Sequence, residues 1–396
     1  MNPIPMAQPD LSQAELDAVS QVLKTSYLSI GPRIVEFERA FADYIGVKHA
    51  VGVSSGTAGL HLCVIAAGIT ENDLVITSPF SFVASANCFL YERALPVFVD
   101  IDPDTLNVDP QQVEQAVHDI KHDNAQAKHW LPPSCRDRVM LDLPTQLKVI
   151  LPVHAFGQPA DMVKLSAIAK EHDLVIIEDA CEAIGAEYQG RKAGQWGESA
   201  VFGFYPNKQI TTGEGGMIVT NNETWYHLFR SLRNQGRDVF NAWLNHTRLG
   251  YNYRLDEMSA ALGLVQLNRL ESFLAKREQV ATWYNERLKE ISAVTIPYIV
   301  PEVNRMSWFV YVIRLATEID RNKVMDMLKE KGIPSRPYFT PIHLQTFYQD
   351  HFGYRPGDFP VTESVAKSVL ALPFYANLSE AQVDYVCTTL NTVLNP

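Results

Sequence analysis

The run from Lys148 to Asp179, KVILPVHAFGQPADMVKLSAIAKEHDLVIIED, decides the fold. Two short apolar runs, KVILPV (148–153) and LVIIED (174–179), enclose the helical pattern DMVKLSAIAKEHD (161–173). Both runs are apolar at consecutive positions, so strands built from them are buried on both faces, and a helix returning between them makes them parallel. The rhythm extends outward, through AVGV (50–53), LVIT (74–77) and PVFVD (96–100) on one side and AVFGF (200–204) and GMIVT (216–220) on the other. Helical patterns such as TAGLHLCVIAAG (57–68) and DPQQVEQAVHDI (109–120) separate most of them. The expectation is an α/β architecture, a mostly parallel seven-stranded sheet between helices. Such sheets bind ligands at the carboxyl ends of their strands.

Before the sheet, LSQAELDAVSQVL (11–23) predicts a helix with Leu16, Val19 and Leu23 on one face and a capping box from Ser12 and Glu15. A turn at Gly31-Pro32 leads into a second amphipathic helix. Residues 121–147 break the rhythm, being polar and proline-bearing, and read as a surface excursion. His122, His129 and Cys135 within it fit no common metal spacing, so no metal is expected. From Asp256, a capping residue, a long helix is predicted with Met258, Leu262, Val265, Leu270, Phe273 and Leu274 on one side. Strand SWFVYVIRL (307–315), helix RNKVMDMLKEKG (321–332), loop IPSRPYFTPIH (333–343) and helix LSEAQVDYVCTTLNTVL (378–394) then make a smaller α/β domain, linked to the first by the long helix.

The 396 residues are 46% apolar and 20% charged, with a net charge of -11, which argues against a nucleic-acid partner. No apolar run approaches the ~18 residues of a membrane span, and MNPIPMAQPDLSQAEL has no leader pattern, so the expected location is cytoplasmic, with no membrane partner. Five cysteines without CxxC pairs read as free thiols.

Four features fall at strand ends. SSGTAGL (54–60) opens a helix, so Gly56, Thr57 and Ala58 can aim N–H groups and a hydroxyl at a phosphate. SPFSFVASAN (78–87) places Phe82 where its ring can stack on a planar cofactor. IIEDACEAIGA (176–186) ends a strand in Asp179, suited to a protonated ring nitrogen. VFGFYPNKQITTGEGG (201–216) crowds Lys208 between apolar and small residues, where burial disfavours the ammonium and suits an imine-forming amine. Each also has a plain structural reading, as cap, core ring or loop lysine. Together they are the phosphate cup, stacking ring, carboxylate and lysine that pyridoxal phosphate requires.

These motifs, with PVFVDID, PVHAFGQPADM and LGYNYRLDEMSAALGLVQL, run in the order of the DegT/DnrJ/EryC1/StrS aminotransferases, and the chain resembles that family over roughly residues 5–275 and more weakly to its end. The resemblance implies the type I aminotransferase fold in a homodimer, with a cofactor-binding domain over 1–250 and the linking helix and smaller domain over 251–396. It implies transfer of an amino group, from glutamate, to a ketone on a nucleotide-linked deoxysugar. Lys208 would form the aldimine and move the proton, Asp179 would meet the ring nitrogen, Phe82 would stack, and Gly56, Thr57 and Ala58 would take the phosphate. Glu182 stands where many members carry Gln, and Gly203 where many carry a phosphate-binding Ser. Asn252 and Arg254 match the segment that reaches the neighbouring subunit's phosphate. Tyr27, Ser29, His154, Arg336, Tyr338 and His343 are candidate substrate contacts. Other readings are an aminotransferase of a cyclitol or carbocyclic ketone, a sugar dehydratase, which in that branch lacks the lysine, and a non-catalytic regulatory protein.

Overall fold

The computed structural model describes residues 4–122, 124–136, 146–237 and 245–395. All seven expected strands are present: β1 (His49–Val53), β2 (Leu74–Thr77), β3 (Leu95–Phe98), β4 (Leu147–Ile150), β5 (Val175–Asp179), β6 (Ser199–Gly203) and β7 (Gly216–Thr220). Their spatial order is β1-β7-β6-β5-β4-β2-β3. Only β7 is reversed, pairing antiparallel with both β1 and β6. An antiparallel pair needs no crossover helix, so β6 and β7 are joined by a loop, and that loop carries Lys208.

Three helices prepare the site. The first, α1 (Gln13–Val22), has the expected capping box, but its orientation differs from the apolar pattern. Leu16 and Leu23 are 61% and 60% exposed, while Glu15 and Val22 turn inward. Glu15 accepts bonds from Gln266 Nε2 at 2.8 Å and Arg269 Nη1 at 2.5 Å, and this buried carboxylate, rather than the leucines, selects the inner face. Helix α2 (Pro32–Ile45) starts without a side-chain cap of its own. Its first N–H groups are met instead by Glu257, which accepts from Gly31, Arg33 and Ile34 at 2.8–3.0 Å, a carboxylate at the positive end of the helix. The third, α3 (Gly56–Ala66), follows β1 and is buried along most of its length.

Asp256 caps the long helix α4 (Glu257–Leu288), accepting from Ser259 N at 2.9 Å. Leu270, Phe273 and Leu274 pack with Phe37, Phe41, Phe202 and Phe204 beneath the sheet, each burial contributing roughly 1.5–3 kcal/mol. Met258, Leu262 and Val265, expected on that stripe, are only half-buried, and Ala260, Ala261, Gly263, Gln266 and Leu267 face inward instead. Further along, Val280, Ala281, Tyr284 and Leu288 join a second core with the C-terminal elements. Those are an antiparallel sheet of β8 (Val294–Thr295), β9 (Tyr311–Leu315) and β10 (Val369–Leu372), with helices Arg321–Glu330 and Glu380–Leu394. The expected strand 307–315 joins this sheet only from Tyr311. Ser307 and Phe309 donate their N–H groups to Gly157 and Phe156 instead, which carries this stretch toward the large sheet.

The segment after Lys121 is more structured than a surface excursion. A helix spans Asn124–Trp130, and Ala127 and Leu131 are buried. Residues 123 and 137–145 of the expected excursion lie outside the described residues. Among the described residues no His, Cys, Asp and Glu group can hold a metal ion, and no helix is long and apolar enough to cross a membrane.

Candidate active site

Strand register gathers the site. Val53 and Gly203, at the ends of β1 and β6, both pair with Gly216 at the start of β7. A Cβ on Gly216 would stand 2.7 Å from Ser55 C and 2.8 Å from Gly56 N, so only glycine lets β7 begin against the first turn of α3. The segments after β1, β5 and β6 therefore converge on one cavity of about 590 Å³. Gly56, Thr57, Ser81, Phe82, Asp179, Cys181, Glu182, Gly203, Asn207, Lys208, Phe309 and Tyr338 are among the residues that line it.

Lys208 is held on one side by charge and on the other by a ring. Its Nζ lies 3.3 Å from Glu182 Oε1 and 3.7 Å from the centroid of Phe309. The second oxygen of Glu182 accepts the Phe156 N–H at 2.9 Å. Burial raises the Glu182 carboxyl above its ordinary value, and the opposing pull of Lys208 and the Phe156 N–H does not cancel it. Asp179 sits deeper, 5% exposed, accepting from Ser85 Oγ at 2.7 Å and Cys181 N at 3.2 Å; Ser81 Oγ is 2.7 Å from Ser85 Oγ. Burial and the neighbouring Asp179 push the Cys181 thiol well up.

The acidic pair divides its work, since adjacent strand residues point to opposite faces. Glu178 is fully buried and meets His154 Nε2 at 3.0 Å and the N–H groups of Gly194, Trp196 and Gly197, each at 2.8 Å. Burial alone would raise its carboxyl, yet His154 and these donors bring it below the usual value. His154 Nδ1 accepts from Ala160 N at 3.1 Å, so its proton is on Nε2. This histidine is buried against Glu178 and does not line the cavity. His343 is likewise buried, 3.0 Å from Glu363, and does not line the cavity.

Other expected residues are distributed unevenly. Gly56 and Thr57 line the cavity in the first turn of α3, where N–H groups have no intrahelical acceptor. Ala58 donates its N–H to Ser55 Oγ at 3.1 Å and does not line the cavity. Phe82 stands at the wall, 63% exposed. Tyr338 lines the cavity; Arg336 is exposed and its backbone pairs with Ala371. Tyr27, Ser29, Asn252 and Arg254 lie outside the cavity of their own chain, with Arg254 Nη1 on Asn234 Oδ1 at 3.0 Å. Ser81, Asn207 and Phe309 also line the cavity and Ser85 bonds Asp179, none of them expected from the sequence. The serines lie inside the quoted SPFSFVASAN, spaced four apart like one helical turn. No local signal marks Phe309.

The donor set fits pyridoxal phosphate. A cavity amine, a buried carboxylate that still accepts hydrogen bonds, and a helix start free to meet a phosphate share one cavity. The DegT/DnrJ/EryC1/StrS aminotransferase family matches residues 9–391. The chain is 39% identical to GDP-perosamine synthase of Caulobacter vibrioides, over 99% of this chain and 98% of the relative. A DegT DnrJ EryC1 StrS aminotransferase from Brucella abortus has a similar structure, with a TM-score of 0.84, 32% identity and coverage of 96% and 95% of the two chains. The PLP-form of the Streptococcus pneumoniae putative sugar aminotransferase Spr1654 gives 0.87, with 26% identity and 99% of both chains covered. This chain belongs to the DegT/DnrJ/EryC1/StrS aminotransferase family and is a pyridoxal-phosphate-dependent enzyme.

Proposed function

We propose that the enzyme transfers an amino group from glutamate to a keto group of a nucleotide-linked deoxysugar, with Lys208 as the reacting amine. The observation that carries this reading is Lys208 Nζ in the cavity wall, between Glu182 and the Phe309 ring, in a cavity that also contains Asp179. When bound, the cofactor supplies an electron sink for the electrons of a C–H bond. Asp179 holds the ring nitrogen, fixed in place by Ser85 and the Cys181 N–H. Gly56 and Thr57 bind the phosphate. Lys208 moves the proton, and Glu182 holds Lys208 in reach. The similarity to GDP-perosamine synthase makes GDP-linked keto sugars the first substrates to try.

The working unit in this reading is a homodimer. Leu16, Leu23, Tyr27, Ile30 and Val35 are exposed on the single chain, and covering such apolar side chains favours self-association. Asn252 and Arg254, outside their own cavity, are then available to the neighbouring subunit's phosphate.

The test is borohydride reduction of the yellow enzyme followed by peptide mapping, then incubation with glutamate and a panel of nucleotide-linked keto sugars and carbocyclic ketones. Label on Lys208 and amination of a nucleotide sugar are expected. Label elsewhere, or amination of the carbocycles alone, refutes the reading.

A further inference from the structure

Arg277 lies in α4 and is 3% exposed, yet among the described residues it pairs with no carboxylate. Its guanidinium is met by three carbonyls: Nη1 donates to Trp308 O at 3.1 Å and Phe309 O at 3.2 Å, and Nη2 to Lys208 O at 3.2 Å. The Nε atom has no hydrogen-bond partner, and the guanidinium lies 5.5 Å from the centroid of Phe374. Burial brings its pKa down to about 10. Burying a cation without a counter-ion is unfavourable, and hydrophobic side chains of similar volume would pack there at less cost. A forked donor that joins carbonyls on two separate chain segments is something those side chains do not offer.

The two segments are the Lys208 turn and the stretch that leaves the small sheet toward the cavity. Their joining closes a ring of contacts. Arg277 holds Lys208 O and Phe309 O; Phe309 N donates to Phe156 O at 3.3 Å; Phe156 N donates to Glu182 Oε2 at 2.9 Å; Glu182 Oε1 faces Lys208 Nζ at 3.3 Å. Gln209 braces the ring, its Nε2 reaching Glu182 O at 2.6 Å and Ser307 Oγ at 2.8 Å. Both groups that flank the lysine amine, the Glu182 carboxylate and the Phe309 ring, are therefore set by this ring.

We infer that Arg277 is a positioning residue: it fixes the Lys208 amine between Glu182 and Phe309 by clamping the lysine turn to the 308–309 backbone. The assignment rests on the reading of Lys208 as the reacting amine. Arg277→Lys keeps the charge but has a single ammonium in place of the fork, so it loses the bridge. Arg277→Met keeps the volume and removes charge and bridge together, and serves if the lysine variant fails to fold. Val280→Ala and Leu288→Ala, apolar truncations on the same helix, supply the stability control.

Two measurements decide it. In cofactor-free protein, acylation of Lys208 by a small activated ester is followed by peptide mass spectrometry. In holoenzyme, kcat and KM are measured. Loss of the bridge should free the turn and speed acylation, and lower kcat about 10-fold or more with KM little changed, because a misplaced amine affects the reaction and not binding. The controls, at similar loss of Tm, should leave both unchanged. An acylation rate equal to the parent's, a kcat unaffected by a changed acylation rate, or controls that reproduce the variant overturns the assignment. Failure of borohydride to label Lys208 in the parent refutes the proposed function, and the acylation arm still decides whether Arg277 places the amine.

Discussion

Lys208 Nζ and Glu182 Oε1 stand 3.3 Å apart, with side chains 15% and 9% exposed, and the carboxyl is nevertheless raised rather than lowered. Desolvation outweighs the single long contact to the ammonium, so the folded state favours a protonated Glu182 more than the unfolded chain does. A carboxyl raised on folding contributes stability below its unfolded value of 4.5, and that contribution is lost as pH rises through the folded value. Glu182→Gln removes the titration. The stability of the parent relative to Glu182→Gln should fall as pH is raised from about 4.5, measured by urea unfolding across a pH series. A difference that is flat or rises with pH would contradict the assignment of burial as the dominant effect.

Glu15 behaves in the opposite sense. Burial would raise its carboxyl, but the Ser12 hydroxyl, Arg269 and Gln266 together bring it down from 4.5 to about 2. Its stabilisation is present above pH 4.5 and lost as pH falls toward 2, up to about 3 kcal/mol in all. Glu15→Gln should therefore cost stability at neutral pH and little near pH 2, so that the two acid-unfolding curves converge. Parallel curves would show that the α1 contact to Gln266 and Arg269 is not electrostatic.

The α/β fold was legible because strand periodicity is a local property. Consecutive apolar positions in LVIIED and its counterparts suffice for a parallel sheet, and glycine at Gly216 marks where backbones must touch. The meeting of Lys208, Asp179 and Glu182 in one cavity was legible for a related reason: they follow strands whose ends the topology brings together. That His154 and His343 lie against carboxylates and outside the cavity lining was not legible, because a histidine in a loop reads the same whether it faces a cavity or a carboxylate. Leu16 and Leu23 share the expected face of α1, but which face turns inward on the chain is decided by Glu15 and its partners on another helix, which a hydrophobic pattern does not register. Phe309 and Arg277 reach Lys208 only through tertiary contacts between distant segments.

Two glycines make contrasting tests of the cavity wall. At Gly203 a Cβ would meet Cys181 Cβ at 3.4 Å and Sγ at 3.5 Å, ordinary contact distances, and φ is not left-handed. Gly203→Ser should fold with parental stability and hold the cofactor more tightly, its hydroxyl adding a donor beside Gly56. At Gly157 φ is +96° and a Cβ would stand 1.6 Å from Ser307 O, so Gly157→Ala must break the pairing that carries Phe309 to the cavity. The expected cost is about 3 kcal/mol or more, with Lys208 losing its ring contact. Differential scanning calorimetry and cofactor titration check both, and a tolerated Gly157→Ala would contradict the backbone geometry.

The placement of Arg254 outside its own cavity leads to a complementation test. Lys208→Ala should lower activity by about 10²–10⁴-fold, having removed the group that moves the proton. Arg254→Ala should weaken cofactor retention markedly, because a forked and permanently charged donor is lost from the phosphate. In a twofold dimer whose sites take Lys208 from one subunit and Arg254 from the other, a mixed dimer of the two variants has one site with both residues intact. Co-refolding equal amounts should then restore about one quarter of parental activity, the statistical share for random pairing in a closed dimer. No recovery, in mixtures shown by mass to contain the hybrid, would place both residues in the same subunit's site.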